Sequence, residues 1–126
     1  MAAANSNRLC FLVIEVEPAQ GLSTRKLLIE TAKHNVITAY SGDEGVRMFE
    51  RFPKVDAVVI DSHLRDMKCE EVTASIKERN GNIPIIALHY REELPKHVCN
   101  SDYVITAHDP AALLKLLEAE DFKAAA

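Results

Sequence analysis

The sequence predicts an α/β domain built on a five-stranded parallel sheet with helices on both faces. Five short apolar runs alternate with segments whose apolar residues recur at helical spacing. The first, third and fourth runs are nearly continuous, which is typical of strands buried on both faces of a parallel sheet. With right-handed crossovers, this alternation favours a doubly wound, flavodoxin-like sheet with strand order 2-1-3-4-5. The predicted strands cover residues 9–14, 36–39, 55–60, 83–88 and 103–105.

Length and composition limit the classes of protein that fit. A chain of 126 residues with 48% hydrophobic content suits one domain, which we place at residues 8–121, with tails at 1–7 and 122–126. The net charge is −4 and the basic residues are dispersed, so we predict no nucleic-acid partner for this domain and no membrane contact. The N-terminal residues lack the apolar core of a signal peptide, and we predict a cytoplasmic location.

The three cysteines give no sign of a shared site. Cys10, Cys69 and Cys99 are odd in number and far apart, and no CxxC spacing is present. We therefore expect free, at least half-buried thiols in a reducing cytosol, with neither a zinc ribbon nor a disulfide framework.

Helix starts are indicated at several places by capping residues. Pro18 occupies a position typical of a first helical residue, Ser41 and Glu44 have the form of a capping box, and Asp109-Pro110 is a cap followed by a first-turn proline. Apolar residues then follow at helical spacing in four segments: Leu22, Leu28, Ile29 and Ala32; Val46 and Phe49; Cys69, Val72 and Ile76; Leu113, Leu114, Leu116 and Leu117.

Acidic residues stand where the first and third strands end. Glu15 and Glu17 follow the first run, and Asp61 follows the third. In the predicted sheet these two strands are neighbours, so their terminal acids should meet in one crevice, the place where this architecture binds ligands. Three carboxylates there could hold a hard cation or share a proton. The simpler alternative is three solvated loop acids, which are common at strand ends and helix starts.

Several segments together resemble the receiver domains of response regulators, the CheY-like domains of two-component signalling and phosphorelays. The segment FLVIEVEP resembles their first strand, YSGDEGVRMFE their second helix, and VDAVVIDSHLRDM their third strand and phosphoacceptor loop. The segment IPIIALHY resembles their fourth strand, and SDYVITAHDPAALLKLL their fifth strand and last helix. The resemblance extends over about residues 8 to 121 in the right order, and it implies the same flavodoxin-like fold.

The resemblance also implies roles for the acids. Asp61 matches the phosphoacceptor, a carboxylate that attacks a phosphoryl donor and needs Mg²⁺ to offset charge. Glu15 matches the first of two metal-binding acids, but Val16 replaces the second, which usually contacts the ion. Valine has no lone pair to donate, so we expect Mg²⁺ binding by Glu15, Glu17 and Asp61 to be weak or lost. Glu17 could substitute in part if its side chain turned inward.

Three further positions of the family bear on phosphorylation and switching. His89 stands where receiver domains carry a serine or threonine that bonds the phosphoryl group, and Thr106 replaces their lysine. The fixed positive charge of that lysine is lost, and a hydroxyl cannot replace it. Tyr103 matches the aromatic switch residue, but we favour the simpler interpretation of a tyrosine with its ring on the core and its hydroxyl in water, because the hydroxyl-bearing partner on the fourth strand is absent.

The stretch between His89 and Thr106 is shorter than in the family, which usually carries a helix there. Because Leu94-Pro95 falls inside this stretch, we expect a helix of one or two turns or an irregular segment. In receiver domains this helix belongs to the output face, so we expect that face to be rebuilt for a particular partner or to have lost its role.

These observations lead to one principal hypothesis and two alternatives. The principal one is an atypical receiver domain, not an enzyme, that signals by contact with a histidine kinase or an effector domain and is phosphorylated weakly or not at all at Asp61; a homodimer is also possible. The first alternative is a working phosphoacceptor with Glu17 and His89 as replacements. The second is a small-ligand or metal-binding module, for which His63, His89 and His108 could join Asp61 and Glu15. The order Asp61, His63, Asp66 also resembles a cobalamin-binding motif, with Asp66 in place of its glycine.

Overall fold

The computed structural model describes residues 8–19, 21, 23–91, 97–109 and 111–118, so the predicted tails lie outside the described residues. Strands and helices alternate along the described residues, in which no helix stands between the last two strands. The elements are β1 (Cys10–Ile14), α1 (Thr24–Thr31), β2 (Asn35–Ala39), α2 (Gly42–Arg51), β3 (Ala57–Asp61), α3 (Cys69–Arg79), β4 (Ile85–His89), β5 (Tyr103–Thr106) and α4 (Ala111–Glu118).

The sheet has five parallel strands in the order β2-β1-β3-β4-β5, which confirms the predicted fold class and strand order. In the register of the sheet, Ile14 lies beside Ile60, so β1 and β3 end at the same edge. Asp61 lies beside Leu88, and His89 lies beside Thr106. The carboxyl ends of β1, β3, β4 and β5 therefore form one edge, which carries the predicted site.

Two apolar clusters, one on each face of the sheet, hold the domain together. The first contains Leu12 and Ile14 of β1 with Phe49 of α2 and Ile76 of α3. The second contains the alternate β1 residues Phe11 and Val13, together with residues of α1 and α4. Because successive strand residues point to opposite faces, a strand covered on both sides must be apolar throughout. This explains why the central strands have nearly continuous apolar sequences.

Two of the predicted helix starts are confirmed, and one is wrong. Ser41 Oγ accepts a hydrogen bond from the backbone N–H of Glu44, and Asp109 Oδ1 accepts one from Ala111 N–H. The first helix starts at Thr24, several residues after Pro18, because Ser23 supplies the cap by accepting a bond from Lys26 N–H. A serine side chain can satisfy a free N–H of the first turn, whereas proline only removes one. Leu22 and Pro110 lie outside the described residues.

The connection from β4 to β5 contains no helix within its described residues, 90, 91 and 97–102. This agrees with the predicted loss of a full helix there, although Leu94-Pro95 lies outside the described residues. Cys99 and Asn100 have left-handed backbone conformations, with φ of 59° and 55°. Such conformations are costly for residues other than glycine and persist where the surroundings impose them.

The expectation of three free thiols is wrong. Cys69 and Cys99 form a disulfide, and their Cα atoms are 5.0 Å apart, whereas Cys10 is free. Cys69 is the first residue of α3 and Cys99 lies in the turn before β5, so the bond ties the β4–β5 connection to α3. A separation of 30 residues in the sequence gave no hint of this contact. No helix in the described residues is long and apolar enough to cross a membrane.

Candidate functional site

Glu15 and Asp61 meet at the carboxyl edge of the sheet, as the sequence predicts. Each carboxylate residue is only 4% exposed, which is unusual for acids. They lie close together because Ile14 of β1 pairs with Ile60 of β3 in the register of the sheet. Glu15 directly follows Ile14, and Asp61 is the last residue of β3. Glu17, in contrast, is exposed, so its side chain does not turn into the pocket.

Both carboxylate oxygens of Asp61 already accept hydrogen bonds. Oδ1 accepts from the backbone N–H of His63 at 2.7 Å, within the loop that follows β3. Oδ2 accepts from the hydroxyl of Tyr90, the residue directly after β4. A carboxylate bonded on both oxygens has fewer lone pairs available for a metal ion or for attack on an electrophile.

Tyr90 is held by the histidines of two neighbouring loops. The His63 ring stacks on the tyrosine ring, with centroids 4.6 Å apart and an interplanar angle of 18°. The ring of His108 packs edge-on against the ring of Tyr90, with an interplanar angle of 77°. The Nε2 atom of His108 lies 2.7 Å from the backbone carbonyl oxygen of Tyr90 and donates a hydrogen bond to it when Nε2 carries a proton. The tyrosine is thus fixed through its ring, its backbone and its hydroxyl.

Arg25 of α1 brings a positive charge to the pocket, although the pKa of Glu15 remains raised overall. Arg25 Nη2 donates a hydrogen bond to the carbonyl oxygen of Ala107 at 2.9 Å, directly after β5. Burial raises the pKa of Glu15, while the Ser23 hydroxyl and the charge of Arg25 lower it and Asp61 raises it. Arg25 therefore acts on the same pocket from which the family's lysine is missing.

The pKa of Tyr90 is raised well above its usual value, first by burial and then by its hydrogen bond to Asp61. A phenol with a raised pKa stays protonated at neutral pH. The hydroxyl of Tyr90 consequently remains a donor to Asp61 throughout the physiological range.

The positions that receiver domains use for the phosphoryl group face elsewhere. Both ring nitrogens of His89 are buried without a hydrogen-bond partner, so this side chain makes no bond to Asp61. Thr106 Oγ1 accepts a bond from His108 N–H at 3.2 Å, which uses the hydroxyl locally. Tyr103 is partly buried and packs against the second apolar cluster.

His89 instead lines a groove beside the site. The groove has a volume of about 810 Å³. On one side lie residues 62–71, which run from the loop after β3 into the first turn of α3, and on the other lie His89 and residues 97–99. The Cys69–Cys99 disulfide joins its two walls.

The residues of the pocket do not fit a Mg²⁺ ion well. Magnesium prefers near-octahedral oxygen coordination and keeps several waters. Here the side chain of Val16 offers no oxygen, and both carboxylate oxygens of Asp61 are engaged. In the part of the chain that the structure describes, Oε2 of Glu15 is the one buried carboxylate oxygen without a hydrogen-bond partner. Among the residues that the structure describes, no three His, Cys, Asp or Glu side chains are grouped so that they could hold a metal ion, which includes the histidine set considered above.

Asp66 has a structural role rather than a ligand role. Its two carboxylate oxygens accept hydrogen bonds from the backbone N–H groups of Gly42 and Asp43, at 2.8 and 2.9 Å, at the start of α2. These bonds lower the pKa of Asp66. They anchor the loop after Asp61 to the neighbouring helix and leave the resemblance to a cobalamin motif without support.

Three of the residues that shape this pocket were not predicted from the sequence: Tyr90, Arg25 and Ser23. Tyr90 carried a weak signal, because an aromatic residue directly after a strand at the functional edge is near the site by position. Arg25 and Ser23 carried no signal for the site, since their place there depends on the true start of α1.

The fold is shared with solved receiver domains. The receiver domain of a sensor histidine kinase from Pseudomonas aeruginosa, solved with magnesium in its active-site cleft, has a TM-score of 0.75 and 20% identity over 88% of this chain and 95% of its own. The chemotaxis response regulator CheY4 of Vibrio cholerae has a TM-score of 0.75 and 17% identity over 88% of this chain and 97% of its own. No family model and no curated protein matches the sequence.

A receiver domain protein from Clostridium thermocellum is more similar in sequence over a shorter region. It is 27% identical, with a TM-score of 0.59, over 64% of this chain and 64% of its own, so the match spans less than two thirds of that relative. The chain therefore has the CheY-like fold of response-regulator receiver domains, as the sequence resemblance implies.

Proposed function

We propose that this chain is a receiver-like signalling domain that acts through protein–protein contact, with weak or no Mg²⁺-dependent phosphorylation at Asp61. The observation that carries the proposal is the state of the pocket: a buried Asp61 whose two oxygens are already bonded, beside Val16 in place of a metal-binding acid. Phosphoryl transfer to a carboxylate depends on a cation that offsets charge and on donors that hold the phosphoryl oxygens. This pocket offers neither at the family's positions.

A protein partner suits the surface better than a small substrate does. The groove beside Asp61 is lined by charged residues of both signs, among them Arg65, Lys68 and Glu70. Its walls are joined by the disulfide, so it presents a fixed shape to a partner. We propose a histidine kinase or an effector domain as the partner, and we propose no enzymatic activity for the domain itself. It also remains a proposal that the chain forms a homodimer, that it contacts neither nucleic acid nor membrane, and that the domain extends over residues 8–121.

The cytoplasmic location also remains a prediction. Its original support included free thiols, and the Cys69–Cys99 bond removes that support, because disulfides are rare in the reducing cytosol.

Incubation with acetyl phosphate and Mg²⁺, followed by intact-mass measurement, tests the proposal. We expect no phosphoryl adduct under conditions that phosphorylate a receiver domain with a complete set of acids, hydroxyl and lysine, which serves as the positive control. A labile adduct of one phosphoryl group that forms as readily as on the positive control, and is absent from the Asp61→Asn variant, would overturn the proposal.

That outcome would support the alternative of a working phosphoacceptor. One observation favours this alternative: the charge of Arg25 acts on Glu15, so the pocket retains a cation despite the loss of the lysine. The same experiment with an Arg25→Gln variant would then show whether arginine performs the lysine's role, since the adduct should form more slowly without it.

A further inference from the structure

We propose that Tyr90 closes the Asp61 pocket from within, its hydroxyl occupying the place beside the carboxylate that an incoming phosphoryl group would need. This inference rests on the proposed function and deepens it, because it names a residue of this chain that keeps Asp61 unreactive. Tyr90 would thus obstruct phosphoryl transfer directly, in addition to the absence of a metal-binding acid at Val16 and of a lysine at Thr106.

The block follows from the hydrogen bond between Tyr90 and Asp61. For transfer, a carboxylate oxygen must form a bond to phosphorus while the leaving group departs in line with it, and the reacting atoms must first approach to about 3–3.5 Å. The Tyr90 hydroxyl donates to Oδ2 and therefore lies within that distance of this oxygen. Oδ1 is covered by the backbone N–H of His63. A phosphoryl donor can reach Oδ2 only after the tyrosine has moved.

The tyrosine side chain is not free to move at low cost, because two contacts hold the side chain and a third holds its backbone. Its ring stacks on His63, its carbonyl oxygen contacts His108 Nε2 at 2.7 Å, and its hydroxyl bonds Asp61. Displacement would break the aromatic stack on His63 and a charge-assisted hydrogen bond to Asp61. It would also leave the buried carboxylate of Asp61 short of a donor.

The three residues in contact follow three different strands at the carboxyl edge of the sheet. The closed arrangement of the pocket therefore depends on how the sheet brings these loops together. His63 belongs to the loop after β3, Tyr90 follows β4, and His108 follows β5. The two histidines are exposed and cover the tyrosine from outside, whereas Asp61 is buried beneath it. A partner that contacts His63 or His108 would thus touch the residues that keep the pocket closed.

The test uses a background in which the family's residues are returned, so that the effect of Tyr90 on reactivity becomes measurable. This restored variant carries Val16→Asp, His89→Thr and Thr106→Lys. With acetyl phosphate and Mg²⁺, we expect Tyr90→Ala in this background to raise the rate of adduct formation at Asp61 by about tenfold or more. Tyr90→Phe, which keeps the ring but loses the hydroxyl, should give a smaller increase. Equal rates with and without Tyr90 would overturn the inference.

A measurement on the unaltered protein guards against misfolding of these variants. Nuclear Overhauser contacts between the Tyr90 ring and the His63 ring are expected, together with a slowly exchanging Tyr90 hydroxyl proton. Absence of both would overturn the inference. If the unaltered protein is phosphorylated as readily as a complete receiver domain, the proposed function fails, yet Tyr90→Ala should still accelerate the reaction by about tenfold or more. The two ideas can therefore fail separately.

Discussion

Loss of the Cys69–Cys99 disulfide should lower the free energy of unfolding by about 3–4 kcal/mol, because the bond closes a loop of 30 residues in the unfolded chain. Both cysteines are buried, so alanine is the suitable replacement and avoids a buried hydroxyl. We expect the Cys69→Ala, Cys99→Ala double variant to unfold at a clearly lower urea concentration than the unaltered protein. Addition of a thiol reductant to the unaltered protein should produce a similar shift.

Cys10 provides the matched control. It is the free cysteine among the described residues and lies at the opposite end of β1 from the site. In the Cys10→Ala variant the dependence of stability on reductant should be unchanged. Alkylation of the denatured, unreduced protein should modify one cysteine. If all three cysteines are modified and reductant has no effect on unfolding, the Cys69–Cys99 disulfide is absent from the protein in solution.

Phe49→Ala should be about as damaging, with an expected loss of about 3–5 kcal/mol of unfolding free energy. Phe49 is fully buried on the inner face of α2 and belongs to the first apolar cluster, together with Leu12 and Ile14 of β1. Removal of the ring would leave a cavity between α2 and the sheet. A loss of this size is a large part of the stability of a small domain, about 5–15 kcal/mol.

Phe52 offers a control of the same residue type three positions later. It is 43% exposed at the C-terminal end of α2. Phe52→Ala should change the free energy of unfolding by only about 0.5 kcal/mol, as is usual for exposed positions. Equilibrium urea unfolding of both variants checks the pair, and similar losses at Phe49 and Phe52 would contradict the described packing.

The sheet could be predicted because its physical requirements are visible in single segments. Strands covered on both faces must be apolar at nearly every position, and β1, β3 and β4 show this. The right-handed crossover rule then leaves few possible strand orders. The start of α1 was missed because Pro18 and Ser23 both carry helix-start signals, and only the packing of the chain decides between them.

The candidate site was predictable as far as strand ends determine it. Asp61 and Glu15 were placed together because the carboxyl ends of neighbouring parallel strands meet. The direction of a side chain in a loop is not fixed by such a rule, so the exposure of Glu17 and the inward position of Tyr90 could not be derived. The disulfide depends on a turn with left-handed Cys99, and the spacing of cysteines contains no information about that turn.

We propose that this receiver-like fold has lost the metal-dependent chemistry of its pocket, and a measurement of Mg²⁺ binding tests this proposal most directly. In calorimetric titration of the unaltered protein with millimolar Mg²⁺, we predict only heats of dilution, identical for the Asp61→Asn variant, because Val16 supplies no ligand and Tyr90 and His63 occupy the oxygens of Asp61. Saturable binding of one Mg²⁺ ion that disappears in Asp61→Asn would contradict the claim.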